Sequence, residues 1–124
     1  LALTLAKSEK ISSMEAMESL QCRTSAEVLA GALYAIATCH GDFDTAMITA
    51  VNHSGYSSAV ASIAGAILGA KMGHTALPDF YLESLEPVKE LCQLADDMVS
   101  FIPDKGIFDD DWDQKYVQGL PITP

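Results

Sequence analysis

Ala59-Val60-Ala61-Ser62-Ile63-Ala64-Gly65-Ala66-Ile67-Leu68-Gly69-Ala70 is the stretch that decides the fold class. It has no charge and no helix-breaking proline, and its residues are apolar on nearly every side of a helix. A helix that is apolar all round is expected to be buried all round. The run is too short to span a bilayer. Gly65 and Gly69 lie one turn apart, and each costs about 1 kcal/mol relative to alanine in a helix interior. Close approach of neighbouring helices would return that cost. Ser57 or Ser58 is positioned to cap the start, and Gly73 ends the helix.

Working outward, the rest of the chain also reads as helix. Leu1 to about Lys7 reads as an apolar helix end. Ser12 and Glu15 have capping-box spacing, which predicts a short helix from about Ser13 to Leu20. Met14 and Met17 there fit a core better than a partner surface. Thr24 and Glu27 repeat the signal. Val28, Leu29, Leu33, Ile36 and Ala37 predict the inward face of a helix reaching Cys39, closed by His40-Gly41. Asp42 can cap the next helix, with Phe43, Met47, Ile48 and Val51 expected to face inward. Asn52-His53-Ser54-Gly55 breaks it. After Gly73, Leu77-Pro78 opens a short helical turn through about Leu85, and Pro87 starts a last helix to about Phe101. No strand pattern and no internal repeat is found. The fold class read from the sequence is all-α with about six helices over residues 1–102, followed by an irregular acidic tail over 103–124. That tail is expected to fold back through Ile107, Phe108, Trp112, Tyr116 and Leu120.

Composition narrows the function classes. The chain has 124 residues and a formal net charge of −10, from 7 basic and 17 acidic side chains. Nucleic-acid phosphates and anionic membranes are poor partners for such a chain, because both need clustered Lys and Arg. Aromatic residues are scarce while alanine and leucine are plentiful, a mix suited to close-packed helices. Cys22, Cys39 and Cys92 lack zinc spacing and read as free thiols in a reducing compartment. With no basic segment ahead of a long apolar run, a cytoplasmic location is expected. The opening Leu1-Ala2-Leu3-Thr4-Leu5 has no cap and reads as helix interior, so a preceding segment is expected. Without it, apolar faces near Leu1–Leu5 and Val28–Ile36 would need covering, by a homo-oligomer or by that missing segment.

Ala50-Val51-Asn52-His53-Ser54-Gly55, then Ile63 to Gly73, then Leu77-Pro78, resembles the last conserved block of the ADP-ribosylglycohydrolase family, which includes the hydrolase that removes ADP-ribose from dinitrogen reductase. Ala26 to Tyr34, Asp42 to Ala46 and Leu91 to Met98 are similar to flanking parts of the same family. The resemblance covers about Leu1 to Met98, the C-terminal portion of such a helical domain. It implies hydrolysis of the glycosidic bond of ADP-ribosylated substrates, with ADP-ribose or an ADP-ribosylated protein as partner. It also implies a two-metal site, usually magnesium. In the family, metal ligands come from an N-terminal acidic motif, absent here, and from an Asp-x-Asp-Ser/Thr run after the glycine. In this chain Tyr56 stands at the first aspartate of that run, with Ser57 as the spacer. Ser58 stands at the second aspartate, and Ala59 at the hydroxyl residue. Magnesium requires oxygen ligands, usually carboxylates. The two-metal clamp is therefore not expected from this chain, which reads as inactive or incomplete as a hydrolase; the alternative is a non-catalytic helical scaffold or a metal-independent ADP-ribose or nucleotide-binding module.

Asn52, His53, Gly55, Tyr56, Ser57 and Ser58 are the candidate ligand-binding residues. Tyr56-Ser57-Ser58 has two readings: a degenerate site kept as a helix cap, or a metal-free site for ADP-ribose. For the second, backbone N–H groups at a helix start attract phosphate, Gly55 permits close approach, the serines offer hydroxyls and Tyr56 can stack on a base or ribose. His53 reads either as a group touching the ribose or phosphates, or as a loop residue bonding the backbone. His40 and His74 adjoin helix ends and complement their dipoles. Asp96 and Asp97 are neighbours on a helix, about 100° apart, and do not share one metal. Asp109, Asp110 and Asp111 read as solvated.

Overall fold

A computed structural model describes residues 1–8, 10–83 and 85–100. Among these residues the protein is all-α. Its helices are α1 (Ala2–Ala6), α2 (Ser13–Leu20), α3 (Ser25–Thr38), α4 (Phe43–Val51), α5 (Ser57–Met72), α6 (Phe80–Glu83) and α7 (Val88–Ser100), with a 3₁₀ turn at His74–Ala76. Two compact units divide between Glu83 and Ser84. The expected tail core from Ile107 to Leu120, the Asp109–Asp111 run and the helix end at Phe101 lie outside the described residues.

The starts of three helices follow directly from side-chain chemistry. The Glu15 amide donates to Ser12 Oγ while the Glu15 carboxylate accepts the Ser12 amide, a complete capping box on α2. Thr24 and Glu27 form the same reciprocal pair on α3. Asp42 Oδ2 accepts the Thr45 amide at 2.9 Å and heads α4. These bonds satisfy amides that a helix cannot satisfy internally. At the far end of α3, His40 and Gly41 have φ of 50° and 88° and turn the chain into α4.

In the first unit α3 lies at the centre, packed against α1, α2, α4 and α5, and α5 also packs along α4. The main core joins Met17 and Leu20 of α2, Val28 and Tyr34 of α3, and Val60 of α5. Met17 and Val60 are fully enclosed. Removing such a side chain from water stabilises the fold by about 1.5–3 kcal/mol. Met14, the other half of the methionine pair, faces solvent. A smaller core joins Cys39, Phe43, Ala46 and Leu68, with Tyr81 packed edge-on against Phe43 at 5.1 Å between ring centroids.

The faces that these helices bury differ from those their apolar patterns suggest. On α3 the buried residues are Val28, Gly31, Ala32, Tyr34 and Ala35. Leu29 and Leu33 are 46 % and 40 % exposed, and Ala37 is exposed too. On α4, Phe43 is buried and Met47 half-buried, but Ile48 is 59 % exposed and Val51 also faces outward. Ala46, Thr49 and Ala50 take the inner positions. The reason is size. Helices that approach closely need small residues between them, and the large side chains are displaced to the flanks.

The same correction applies to α5. Only the stripe of Val60, Ala64 and Leu68 is buried, while Ser62, Ala66, Ile67 and Ala70 are exposed. Gly69 has no neighbour within 4 Å of where a Cβ would lie, and Gly65 meets only Met47 Sδ at 3.9 Å. The tight contacts are instead at Gly31, where a Cβ would be 2.5 Å from Cys22 Sγ, and at Gly55. Cys22 and Cys39 are buried free thiols and Cys92 is half-buried. No helix among the described residues is long and apolar enough to cross a membrane.

In the second unit the described residues from Val88 onward form α7, on which no side chain is buried. Gln93 Nε2 donates to Asp97 Oδ1 at 2.9 Å, so Asp97 is engaged one turn back along its own helix.

Candidate functional site

Of the six candidate residues, Asn52, His53, Gly55 and Tyr56 lie on the link between α4 and α5, and Ser57 and Ser58 lie in the first turn of α5. Asn52 ends α4. Its backbone amide and its Nδ2 both donate to the Ile48 carbonyl, at 3.2 and 2.7 Å. His53 turns inward and is half-buried. Its Nδ1 accepts the Gly55 amide at 3.0 Å, and its Nε2 lies 2.9 Å from the Ala50 carbonyl. Because Nδ1 is an acceptor, the proton belongs on Nε2, which donates to that carbonyl; the ring is the neutral Nε2–H tautomer in this arrangement. Both ring nitrogens are thus used inside the loop.

Gly55 has no room for a side chain. A Cβ there would overlap the Gln21 carbonyl oxygen and would lie 2.8 Å from both the Cβ and the carbonyl oxygen of Cys22. The close approach that this glycine permits is therefore to the end of α2. The next amide, that of Tyr56, donates to the Cys22 carbonyl at 2.8 Å. Tyr56 has φ −76° and ψ 72°. These are the angles of an inverse γ-turn, closed by the Ser57 amide donating to the Gly55 carbonyl at 2.9 Å. Its side chain is 63 % exposed.

Neither Ser57 nor Ser58 caps α5. The N-cap position is Tyr56, which makes no side-chain capping bond. A tyrosine hydroxyl is too remote from its own backbone to reach the N2 or N3 amide, and both serines already lie inside the first turn. Val60 donates to the Tyr56 carbonyl at 3.1 Å. Among the described residues the Ser58 and Ala59 amides have no acceptor.

A residue with no sequence signal completes the geometry. Glu18, exposed near the end of α2, accepts the Ser54 amide at 2.8 Å on one carboxylate oxygen and the Ser54 hydroxyl at 2.6 Å on the other. The Ser54 hydroxyl and then the Ser54 amide hold this carboxyl below the usual glutamate range, with smaller help from the Arg23 charge. Nearby, burial pushes the Cys22 thiol up, with the Glu27 and Glu18 charges adding to it. Gln21 and Cys22 have φ of 60° and 51°. This is the left-handed region, which non-glycine residues rarely adopt. Two such residues in succession place the Cys22 carbonyl where the Tyr56 amide meets it. On its surface Glu18 is an ordinary helical glutamate, and its partner lies 36 residues away. Nothing local in the sequence marks the pair.

Elsewhere in this unit, Tyr81 lies against Asp44. Burial first, and then the neighbouring Asp44 carboxylate, push the phenol up to about 12. Asp44 Oδ1 is buried with no hydrogen-bond partner among the described residues. This cluster belongs to the small core around Phe43, and none of the six candidate residues is in it.

The donors on the link do not suit a pair of magnesium ions. Magnesium binds through hard oxygen ligands, with carboxylates offsetting its charge, and Tyr56, Ser57 and Ser58 are neutral. The adjacent carboxylate, Glu18, is committed to Ser54 on both oxygens. Among the described residues no group of three or more His, Cys, Asp or Glu side chains is placed to hold a metal ion.

A sequence profile of the family described as ADP-ribosylglycohydrolase matches residues 2–106. No curated protein and no solved structure matches. The matched span takes in every helix of the structure, from α1 to α7, and the residues from Asn52 to Ser58. With most of its length matched and no strand among its described residues, the chain belongs to the ADP-ribosylglycohydrolase family.

Proposed function

We propose that this chain is a non-hydrolysing member of the family that binds ADP-ribose without metal at the head of α5. The observation that carries the reading is the start of that helix: two amides, at Ser58 and Ala59, with no acceptor among the described residues, and no carboxylate among the residues from Asn52 to Ala59. Backbone amides at a helix start attract phosphate through partial positive charge. In a hydrolase of this family, aspartates at the positions of Tyr56 and Ser58 serve the metal. Without metal the same aspartates would repel a pyrophosphate, so their replacement removes both the ion and the repulsion. The exposed Tyr56 ring offers a stacking surface for adenine or ribose. His53 orders the loop from within, because both its ring nitrogens serve the backbone.

Calorimetric titration with ADP-ribose, in EDTA and then in millimolar magnesium, tests this reading. Equal binding heat in both conditions is expected, with no ADP-ribose released from ADP-ribosylated arginine peptides. Heat only with magnesium, no heat in either condition, or turnover would overturn it. Tyr56→Asp together with Ser58→Asp is expected to weaken ADP-ribose binding without creating turnover.

A further inference from the structure

We infer that Glu18 is a positioning residue that holds the α4–α5 link in its ligand-facing conformation, acting through Ser54. The inference rests on the proposed reading of the link as an ADP-ribose site, and adds to it a residue on a different helix. Three observations converge. Glu18 takes both polar hydrogens of Ser54, at 2.8 and 2.6 Å, so one carboxylate fixes the backbone and the side chain of the same residue. Two residues on, the Tyr56 amide is fixed by the Cys22 carbonyl, so the end of α2 grips the link on both sides of Gly55. Gly55 itself leaves no slack, because a Cβ would already collide with Gln21 and Cys22. The link therefore cannot shift without releasing Glu18. Hydrogen bonds to an ionised acceptor are among the stronger ones in proteins. Here they set the direction of the Ser58 and Ala59 amides that follow. Glu18 touches no proposed ligand atom; it acts only through the link.

The decisive measurement is amide hydrogen exchange of the full chain, read at Ser54 and Tyr56, in the wild type, Glu18→Ala and Glu18→Gln. Glu18→Ala is expected to raise exchange at both amides about tenfold, the worth of charge-assisted bonds lost. The same loss is expected to lower the thermal midpoint by about 5 °C. Glu18→Gln is expected to recover part of the protection, since its amide oxygen can accept the Ser54 N–H and its NH₂ can donate to the hydroxyl. ADP-ribose affinity is expected to fall about tenfold in Glu18→Ala and to recover in parallel in Glu18→Gln. Unchanged exchange in Glu18→Ala would overturn the inference, as would lost protection with unchanged ADP-ribose affinity. Should the wild type bind no ADP-ribose, the proposed function fails, and the exchange at Ser54 and Tyr56 still decides the role of Glu18.

Discussion

A methyl group at Gly55 would overlap the Gln21 carbonyl oxygen and sit 2.8 Å from Cys22, whereas one at Gly69 would meet nothing within 4 Å. The two glycines therefore make opposite predictions. Gly55→Ala is expected to destabilise by about 1–3 kcal/mol, the usual cost of forcing atoms into filled space. Gly69→Ala is expected to stabilise by about 0.5–1 kcal/mol through reduced unfolded-state entropy. At roughly 4 °C per kcal/mol for a chain of this size, the two thermal midpoints should separate clearly in calorimetry. Asn52 and Gly55 were legible in the sequence as a helix break. The reason that Gly55 must be glycine was not, because the Gln21 carbonyl that excludes a side chain comes from a distant segment. For the same reason Gly65 and Gly69 looked like sites of close helix contact: spacing shows that a glycine is present, not what lies opposite it.

Helix ends were easier to read than helix faces. Ser12 with Glu15, Thr24 with Glu27, and Asp42 with Thr45 are local chemistry, and each cap stands where three-residue spacing predicts it. Faces depend on neighbours. Leu29, Leu33 and Ile48 follow a helical apolar pattern yet lie outward, because alanine and glycine take the contact positions. The exposed α5 face, with Ser62, Ala66 and Ile67, is the same effect on a helix whose composition promised full burial. Thr24→Ala removes one half of the α3 box and is expected to cost about 1 kcal/mol in denaturant unfolding. Acid should act on all three caps. Ser12 bonds hold Glu15 low, the Arg23 and Thr24 amides hold Glu27 low, and Thr45 bonds hold Asp42 low. A carboxyl whose folded value lies below its unfolded value stabilises above the unfolded value, and that gain is lost as pH falls through the folded one. Unfolding midpoints should therefore be flat near neutrality and decline below about pH 4.5, where the carboxyls of the unfolded chain begin to take up protons. Glu27→Gln should shrink that decline.

At the scale of the molecule, net charge and apolar surface pull in different directions. A formal charge of −10 opposes self-contact. Yet Leu1, Leu3, Leu29 and Leu33 line a surface hollow of about 320 Å³ where α1 crosses α3, and that hollow carries no charged side chain. Adjacent apolar surface of this kind favours association. Sedimentation at micromolar concentration is therefore expected to give a mass above 13.2 kDa, and Leu29→Glu with Leu33→Glu to restore the single-chain value. A single-chain mass for the unmodified protein would contradict this. The all-α class was legible because composition, capping spacing and the alanine-rich run agree. The candidate link was legible as a short motif, but its support by α2 was not. That distance along the chain has a kinetic consequence. Ser54 and Glu18 are separated by 36 residues, and closing so long a loop is slow beside the zipping of a helix. During refolding, α3 and α4 should gain helical circular dichroism before Ser54 becomes protected, so the α4–α5 link would be among the last parts to mature.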